Sequence, residues 1–257
     1  MDINLDPRAD RPVYRQLADA LRSAITSGEL KPGMPLPSER LLVEEHRLSR
    51  GTVRESFSLL KTEGLIETFP GKGAFVRHQL PIRRLASNRF ARHHRDAGKG
   101  AYQVDLDAAQ KNASVDLIKI QKEVVPPETV SKRLGLDKHE KVAVRSRRYL
   151  ADGEPVELAV SFIPWKFAKD TRIVEENTGP GGIYARIEEQ GLRIVRYSEE
   201  ISARMPNPDE ERSLKMISGV PVLHVVRVAF AEGEIPVEEC DTVMRADRYV
   251  LNYELPG

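Results

Sequence analysis

The sequence contains a single cysteine, Cys240, and no long run of apolar residues. One cysteine excludes an intramolecular disulfide and a multi-cysteine zinc cluster. No apolar stretch reaches the roughly 18 residues that a membrane-spanning helix needs, and the N-terminus MDINLDPRAD lacks the pattern of a signal peptide. These absences predict a cytoplasmic protein with no membrane segment and no metal site.

The sequence also lacks a large net charge, because 40 lysine and arginine residues face 39 aspartate and glutamate residues. Residues 1–78 carry 12 basic and 11 acidic side chains, residues 79–100 carry six and one, and residues 101–257 carry 22 and 27. A neutral N-terminal part is thus followed by a short basic segment and a mildly acidic remainder. This distribution permits an N-terminal half that faces DNA but does not require one.

Residues 1–78 have the pattern of three helices followed by a β-hairpin. Ser38 and Ser49 precede apolar-periodic segments and are the predicted N-caps of the second and third helices. The segments IETF and AFV flank the glycine turn PGKG, which predicts the hairpin. The predicted inward-facing residues of the three helices are Val13, Leu17, Leu21 and Ile25, then Leu41, Leu42 and Val43, then Val53, Phe57, Leu60 and Leu65.

Three helices and a hairpin, with a tight turn between the second and third helices, are typical of a winged helix-turn-helix domain. In such a domain the N-terminal residues of the third helix enter the DNA major groove. This explains why Arg50, Thr52 and Arg54 lie at a helix start, where the macrodipole does not favour cations. Gly71 and Lys72 would bring the wing close to the minor groove. The alternative is a protein-interaction module in which these charges are only solvated.

The stretch from 79 to 110 loses this periodicity and is rich in arginine, with Pro81, Gly98 and Gly100. We interpret it as a basic linker. Residues 111–257 alternate strand-like and helical segments, with a hairpin signal at Asp152-Gly153 and a predicted helix cap at Asn207. Because the strands are joined mainly by hairpins, we predict an α+β domain with a largely antiparallel sheet and helices packed on one face.

These segments resemble the GntR family of bacterial transcription regulators and, within it, the HutC-type subfamily. The N-terminal resemblance rests on LPSER, SRGTVRESFSLLKTEGLI and GKGAFV, in this order. The C-terminal resemblance rests on R-S-R, D-G-E-P, S-F-I-P, G-I-Y and ADRY, which look like the UTRA ligand-sensing domain, whose fold is that of chorismate lyase. It covers nearly the whole chain, from about Arg11 to Glu254.

The resemblance implies a homodimeric repressor that binds a palindromic operator in double-stranded DNA and responds to a small, anionic effector of unknown identity. The domains would be a winged helix-turn-helix domain over 1–78, a basic linker over 79–110, and a UTRA effector-binding and dimerisation domain over 111–257. The residues that it implies for DNA contact are Arg40, Arg50, Thr52, Arg54, Gly71 and Lys72.

For the effector, the resemblance implies Arg145, Arg147, Ser161, Tyr184 and Glu238. Arg145 and Arg147 are two positions apart and therefore share one face of a strand. The alternative for these two arginines is a solvated outer face with carboxylate partners.

Three positions depart from the family pattern. Gly182 replaces a common serine, Ala159 a common glutamate and Met244 an expected aromatic residue. A buried sugar hydroxyl needs a polar partner, so these losses argue against a sugar phosphate. They leave open a less polar anion or a pocket that binds nothing.

An enzyme is the alternative from another class, since the C-terminal domain resembles a lyase. The sequence shows no nucleophile–base spacing, no metal-ligand cluster and no glycine-rich phosphate loop. We therefore predict no catalytic activity and no cofactor. The remaining alternative is a lyase-like enzyme or ligand-binding protein that uses the C-terminal pocket.

Overall fold

The computed structural model describes residues 3–77, 81–86, 88–216 and 219–254. The chain divides into two compact units, one comprising residues 1–80 with 217–220 and the other residues 81–216 with 221–257. No helix within the described ranges combines the length and the apolar character needed to span a bilayer.

The first unit contains the three predicted helices and the predicted hairpin. The helices are α1 (Val13–Thr26), α2 (Glu39–His46) and α3 (Arg50–Thr62). Strands β1 (Ile66–Phe69) and β2 (Gly73–Val76) pair in antiparallel orientation. The core of this unit is apolar, and it includes Leu17, Leu21, Leu42, Val53, Phe57 and Leu60.

Both predicted N-caps are present in the first unit. Ser38 accepts a hydrogen bond from the Leu41 amide at 3.1 Å, and Ser49 accepts one from the Thr52 amide at 3.0 Å. The predicted apolar face of α2 is narrower than expected, because Leu41 is 38% exposed and only Leu42 of this helix is buried.

The second unit contains eight strands and six helices in its described residues. Its helices are α4 (Arg92–Asp96), α5 (Ala101–Ala108), α6 (Glu128–Arg133), α7 (Trp165–Ala168), α8 (Gly182–Glu188) and α9 (Pro208–Ser213), with a 3₁₀ turn at Arg172–Val174. Its strands are β3 (Ile82–Leu85), β4 (Ala113–Val124), β5 (Val142–Ala151), β6 (Glu154–Pro164), β7 (Ile194–Arg204), β8 (Val222–Ala231), β9 (Ile235–Arg245) and β10 (Tyr249–Asn252).

Six of these strands form one antiparallel sheet in the order β4-β5-β6-β9-β8-β7. The β5–β6 hairpin turns at Asp152 and Gly153, whose φ angles of 50° and 80° are those of a two-residue hairpin turn. Asn207 caps α9 with a complete capping box. The predicted α+β class and antiparallel sheet are confirmed.

Helices cover both faces of this sheet, whereas the sequence led us to expect one covered face. On one face, Ile173 of the 3₁₀ turn and Ile187 of α8 pack with Ile163 of β6. On the other face, Val130 of α6 packs against Val142 of β5, and the end of α9 packs there as well. Four consecutive buried residues at the start of β5 reflect this two-sided cover.

Much of the segment that we interpreted as a linker is folded. From Pro81 onward its described residues belong to the second unit, while residues 78–80 and 87 lie outside the described ranges. β3 pairs in parallel with β10, and α5 buries Tyr102 and Leu106. The physical reason is that this arginine-rich segment also contains apolar residues, Ile82, Phe90 and Leu106, which are all buried.

A buried ion pair joins β3 to β7. Arg84 is 1% exposed and binds the carboxylate of Glu199, which also accepts a hydrogen bond from Tyr253 Oη at 2.6 Å. Burial alone would raise the pKa of Glu199. The hydrogen bond and charge of Arg84, with the Tyr253 hydroxyl, outweigh burial and lower that pKa from 4.5 to about 2.

Acid is therefore expected to destabilise the second unit through Glu199. A carboxylate with a lowered folded-state pKa stabilises the fold above its unfolded-state value and loses this contribution as the pH falls. Because the pKa is lowered from 4.5 to about 2, the free energy of unfolding is expected to fall by about 3 kcal/mol between about pH 4.5 and pH 2. Urea unfolding across this range measures it. Glu199→Gln should remove this part of the pH dependence and leave the part that other carboxylates contribute, and an unchanged dependence in the variant would contradict the assignment.

Candidate functional site

The predicted DNA-contacting residues of α3 lie at its N-terminal end. Arg50 and Arg54 are exposed, and Thr52 is half-buried with its hydroxyl 2.9 Å from Ser49 Oγ. The first amides of a helix have no partner within the helix and carry its positive end. Two arginines beside these amides make this end of α3 suited to a phosphate or another anionic surface.

A groove in the first unit brings three further predicted residues together. It lies between the start of α2, α3 and the hairpin, and Arg40, Gly71 and Lys72 all line it. Gly71 has a φ of +74°, in the left-handed region that favours glycine, so the wing tip is a tight turn. Lys61 of α3 lines the same groove. Lys61 was not predicted from the sequence, because lysines are common on helix surfaces whether or not they bind a partner.

Two of the predicted DNA-contacting arginines, one in α2 and one in α3, form only exposed ion pairs. Arg40 contacts Glu44 at 2.9 Å and Arg54 contacts Glu39 at 3.0 Å, but the two arginine side chains are 76% and 67% exposed. Such surface ion pairs contribute at most about 1 kcal/mol, so phosphate can replace the carboxylates at little cost.

A cavity of about 310 Å³ lies within the second unit. Side chains on one face of β5, β6 and β9 line it, together with the start of α5 and the start of α8. Four predicted effector residues, Arg145, Arg147, Tyr184 and Glu238, line this cavity. Ser161 is fully buried behind the cavity wall, where it contacts two residues that line the cavity, Arg147 and Cys240. The volume is at the lower end of the roughly 300–1,000 Å³ typical of small-molecule sites.

Arg145 is held by main-chain carbonyl groups. Its guanidinium donates hydrogen bonds to the carbonyl oxygens of Ile173 at 2.5 Å, of Glu176 at 3.1 Å and of Glu175. Burial, and then the nearby charge of Arg147, lower the pKa of Arg145 to about 10. Arg145 thus stays cationic near neutral pH and fixes the loop after the 3₁₀ turn, which leaves Arg147 as the more available of the two arginines.

Arg147 faces the cavity with few partners. One of its terminal nitrogens donates to Ser161 Oγ at 2.5 Å, and its guanidinium lies 5.6 Å from the ring centroid of Tyr149. Its Nε is buried and has no hydrogen-bond partner, and no carboxylate in the described ranges is within ion-pair distance. An arginine in this position is suited to bind an anionic group of a ligand.

Tyr184, Arg227 and Glu238 form a buried hydrogen-bonded cluster. Tyr184 Oη donates to Glu238 Oε2 at 2.5 Å, and Arg227 contacts the same oxygen at 3.4 Å. Arg227 Nε also donates to Tyr184 Oη at 3.1 Å, and the guanidinium lies 4.7 Å from the ring centroid of Phe90. Burial raises the pKa of Tyr184 well above its ordinary value, so the phenol stays protonated and donates.

Two of the three departures from the family pattern lie in the cavity wall. Ala159 and Gly182 line it, whereas Met244 is fully buried in the core beside Tyr102 and Tyr249. The two small residues supply no polar side-chain atom to the cavity. The wall is therefore less polar here than a serine and a glutamate would make it.

Several cavity residues were not predicted from the sequence, among them Arg227, Tyr149 and Glu157. A signal was available for Tyr149, which follows Arg145 and Arg147 in the alternation of β5. Arg227 is the single arginine of the mainly apolar strand β8, and Glu157 lies between apolar residues of β6, three positions after Glu154. Burying such a charge costs free energy unless a partner compensates it, so each of the two residues is a candidate for ligand binding.

Comparison with protein families matches both parts of the chain. Residues 13–76 match the gntR family of bacterial regulatory proteins, and residues 108–250 match the UTRA domain. The second match alone covers more than half of the chain.

Two curated relatives are similar over nearly their full length. The HTH-type transcriptional repressor NagR of Bacillus subtilis is 28% identical over 250 residues, which cover 97% of each chain. The HTH-type transcriptional regulator RB1450 of Rhizobium meliloti is 30% identical over 250 residues, which cover 94% of each chain. Among solved structures, PhnF from Mycobacterium smegmatis matches with a TM-score of 0.61 and 21% identity over 95% of this chain and 100% of PhnF. The PhnF match shows a shared fold.

Proposed function

Because the chain belongs to the GntR family of DNA-binding bacterial transcription regulators and has a UTRA ligand-binding domain, we propose that it is a repressor released from DNA by a small anionic effector. The observation that carries the effector part is Arg147, which faces the cavity without a carboxylate partner in the described ranges. The repressor role is supported by the similarity to NagR, itself a repressor. The proposed location is the cytoplasm, where bacterial DNA is accessible.

The proposed operator is a palindrome bound by a homodimer. In helix-turn-helix dimers the two recognition helices lie about 34–36 Å apart, one turn of the DNA helix, and reach successive major grooves. Arg50 is the proposed base-reading residue, because a bidentate arginine–guanine contact is the commonest specific one. Arg40, Thr52, Arg54, Gly71 and Lys72 are the proposed contacts to phosphate and to the minor groove.

We assign residues 1–78 to DNA binding and 111–257 to effector binding and dimerisation. Of the predicted linker 79–110, the described residues from Pro81 onward fold with the second unit, so the proposed link lies at the start of this segment. The effector needs no contact with DNA. It needs only to bind more tightly to a state of its domain in which the two DNA-binding domains are held at a spacing unsuited to the operator. We propose no catalytic role, since the relatives NagR and RB1450 are both transcription regulators.

Reciprocal weakening of ligand and DNA binding tests this function. Small anions, including carboxylates and inorganic phosphate, are screened by calorimetry against the wild type and Arg147→Met. An anion that binds the wild type is expected to bind the variant at least roughly tenfold more weakly, because a charge-assisted hydrogen bond is removed. The same anion should weaken operator binding by the factor by which the operator weakens anion binding. An anion that binds in the cavity without changing DNA affinity would contradict the proposal.

A further inference from the structure

Glu157 is a buried acid of the cavity that forms no ion pair in the described ranges. It lies on β6, lines the cavity and is 5% exposed. Its Oε2 accepts a hydrogen bond from Tyr249 Oη at 2.9 Å, and no arginine, lysine or histidine in the described ranges lies within ion-pair distance of it. In the protein without a ligand, burying a carboxylate that has no cationic partner costs free energy. Besides Arg145, which is held by main-chain carbonyl groups, the cavity therefore carries one positive charge, Arg147, and one buried negative charge, Glu157, that have no charged partner in the described ranges.

These two charges are close but point apart. Arg147 is paired with Ala159 and Tyr149 with Glu157 in the β5–β6 register, so Arg147 and Glu157 are diagonal neighbours on one face. Diagonal neighbours are separated by roughly 7–8 Å. Arg147 reaches toward Ser161 and Glu157 toward Tyr249, in opposite directions along the sheet. A molecule placed between them would meet a positive group at one end and a negative group at the other.

The surroundings of Glu157 suit a cation. The rings of Tyr102 and Tyr149 lie beside it in the cavity wall, with centroids 4.5 Å apart. Burial raises the pKa of both phenols, which stay neutral and present aromatic faces. Tyr102 Oη is buried without a hydrogen-bond partner in the described ranges. Aromatic faces around a carboxylate attract ammonium and similar cations.

The other acids near Glu157 do not offer a second site for a cation. Asp105 is 3% exposed and is paired with Arg89 at 3.0 Å. Glu238, a second acid of the cavity, is paired with Arg227 at 3.4 Å, and Glu176, the third, is exposed to solvent. Glu157 is thus the acid of the cavity whose charge a ligand would have to balance.

We propose that the effector is a zwitterion, such as an amino acid or a related amino-carboxylate, which places its anionic group on Arg147 and its ammonium group on Glu157 between Tyr102 and Tyr149. This inference rests on the proposed function of the cavity as an effector site. It narrows the effector from anions in general to molecules with both charges. It also accounts for the small, weakly polar wall at Ala159 and Gly182, which would contact the hydrocarbon part of such a molecule.

A matched ligand series tests the inference. Calorimetry compares 4-aminobutanoate, 5-aminopentanoate and 6-aminohexanoate with butanoate, pentanoate and hexanoate, which lack only the ammonium group. At least one amino-carboxylate is expected to bind in the millimolar range or tighter, and roughly 10- to 100-fold tighter than its partner. Glu157→Gln should abolish this preference without weakening the binding of the plain carboxylates. Equal binding within every pair, or a preference that survives in Glu157→Gln, would overturn the inference.

Two controls make the result decisive. Tyr249→Phe removes the internal hydrogen bond of Glu157 but keeps its charge, so the preference for the amino-carboxylate should persist, which also shows that the Glu157→Gln effect is not a general disturbance. Inorganic phosphate serves as a probe for anions without an amine. If phosphate or the plain carboxylates bind as well as the zwitterions, the inference fails and the proposed function stands. If no anion binds the wild type at all, the anionic-effector proposal fails with it.

Discussion

Replacement of Arg227 with methionine is expected to lower the free energy of unfolding of the second unit by about 3–5 kcal/mol. Glu238 is fully buried, and Arg227 is its ion-pair partner. Burial would lower the pKa of Arg227, but Tyr184, Cys240 and Glu238 outweigh burial and raise that pKa well above its ordinary value, so the guanidinium is charged. Methionine has a similar length and keeps the apolar packing on Phe90, so the variant mainly isolates the loss of charge.

Urea unfolding measures this effect, and two variants control it. In the double variant Arg227→Met/Glu238→Gln the buried negative charge is removed as well, so most of the lost stability should return. Arg212 forms an exposed ion pair with Asp209, with 71% of its side chain accessible, and Arg212→Met should change stability by no more than about 0.5 kcal/mol. A loss in Arg227→Met no larger than in Arg212→Met would show that the buried cluster is not held by this charge.

Replacement of Arg50 with alanine is expected to abolish the preference for the operator over unrelated DNA. A bidentate arginine–guanine contact provides about 1–3 kcal/mol of discrimination. A symmetric dimer makes this contact twice, so the loss is about 2–6 kcal/mol for the whole site. The stability of the first unit should change little, because Arg50 is exposed and forms no ion pair in the described ranges.

Competition binding with operator and scrambled duplexes measures the loss of discrimination. Lys72→Ala is the matched variant for a residue that binds the DNA backbone, since Lys72 is exposed at the wing tip. It should weaken binding to all sequences similarly and reduce the slope of log K against log salt by about 1 for each phosphate that the variant no longer neutralises. If Arg50→Ala behaves like Lys72→Ala, then Arg50 binds phosphate and another residue reads the bases.

The first unit was predictable from its sequence because its signals are local. Ser38 and Ser49 mark the starts of α2 and α3 through their own side chains, and glycines close the hairpin turn. Leu41 shows the limit of this approach: helical spacing alone does not say how wide the interface with the rest of the unit is. Only the packing of α1 and α3 against α2 decides that Leu42 alone is buried there.

The second unit was less predictable because its burial depends on distant segments. β3 is a strand because β10, more than 150 residues later, pairs with it. The charged cavity residues show the same dependence. Arg145 and Arg147 look equivalent in the sequence, yet Arg145 is occupied by carbonyl groups from a loop about 30 residues later. Glu157 becomes notable only when the structure places it, without an ionic partner in the described ranges, in the cavity that Arg147 also lines.

We propose that this protein recognises a specific, symmetric DNA site. The most direct test of this proposal is selection of genomic fragments by the wild-type protein, with the region upstream of its own gene included, followed by footprinting of the enriched fragments. We expect enriched fragments that share a palindromic motif with half-sites about 10 base pairs apart, protected on both halves. Fragments without a common motif, or none enriched over random DNA, would contradict it.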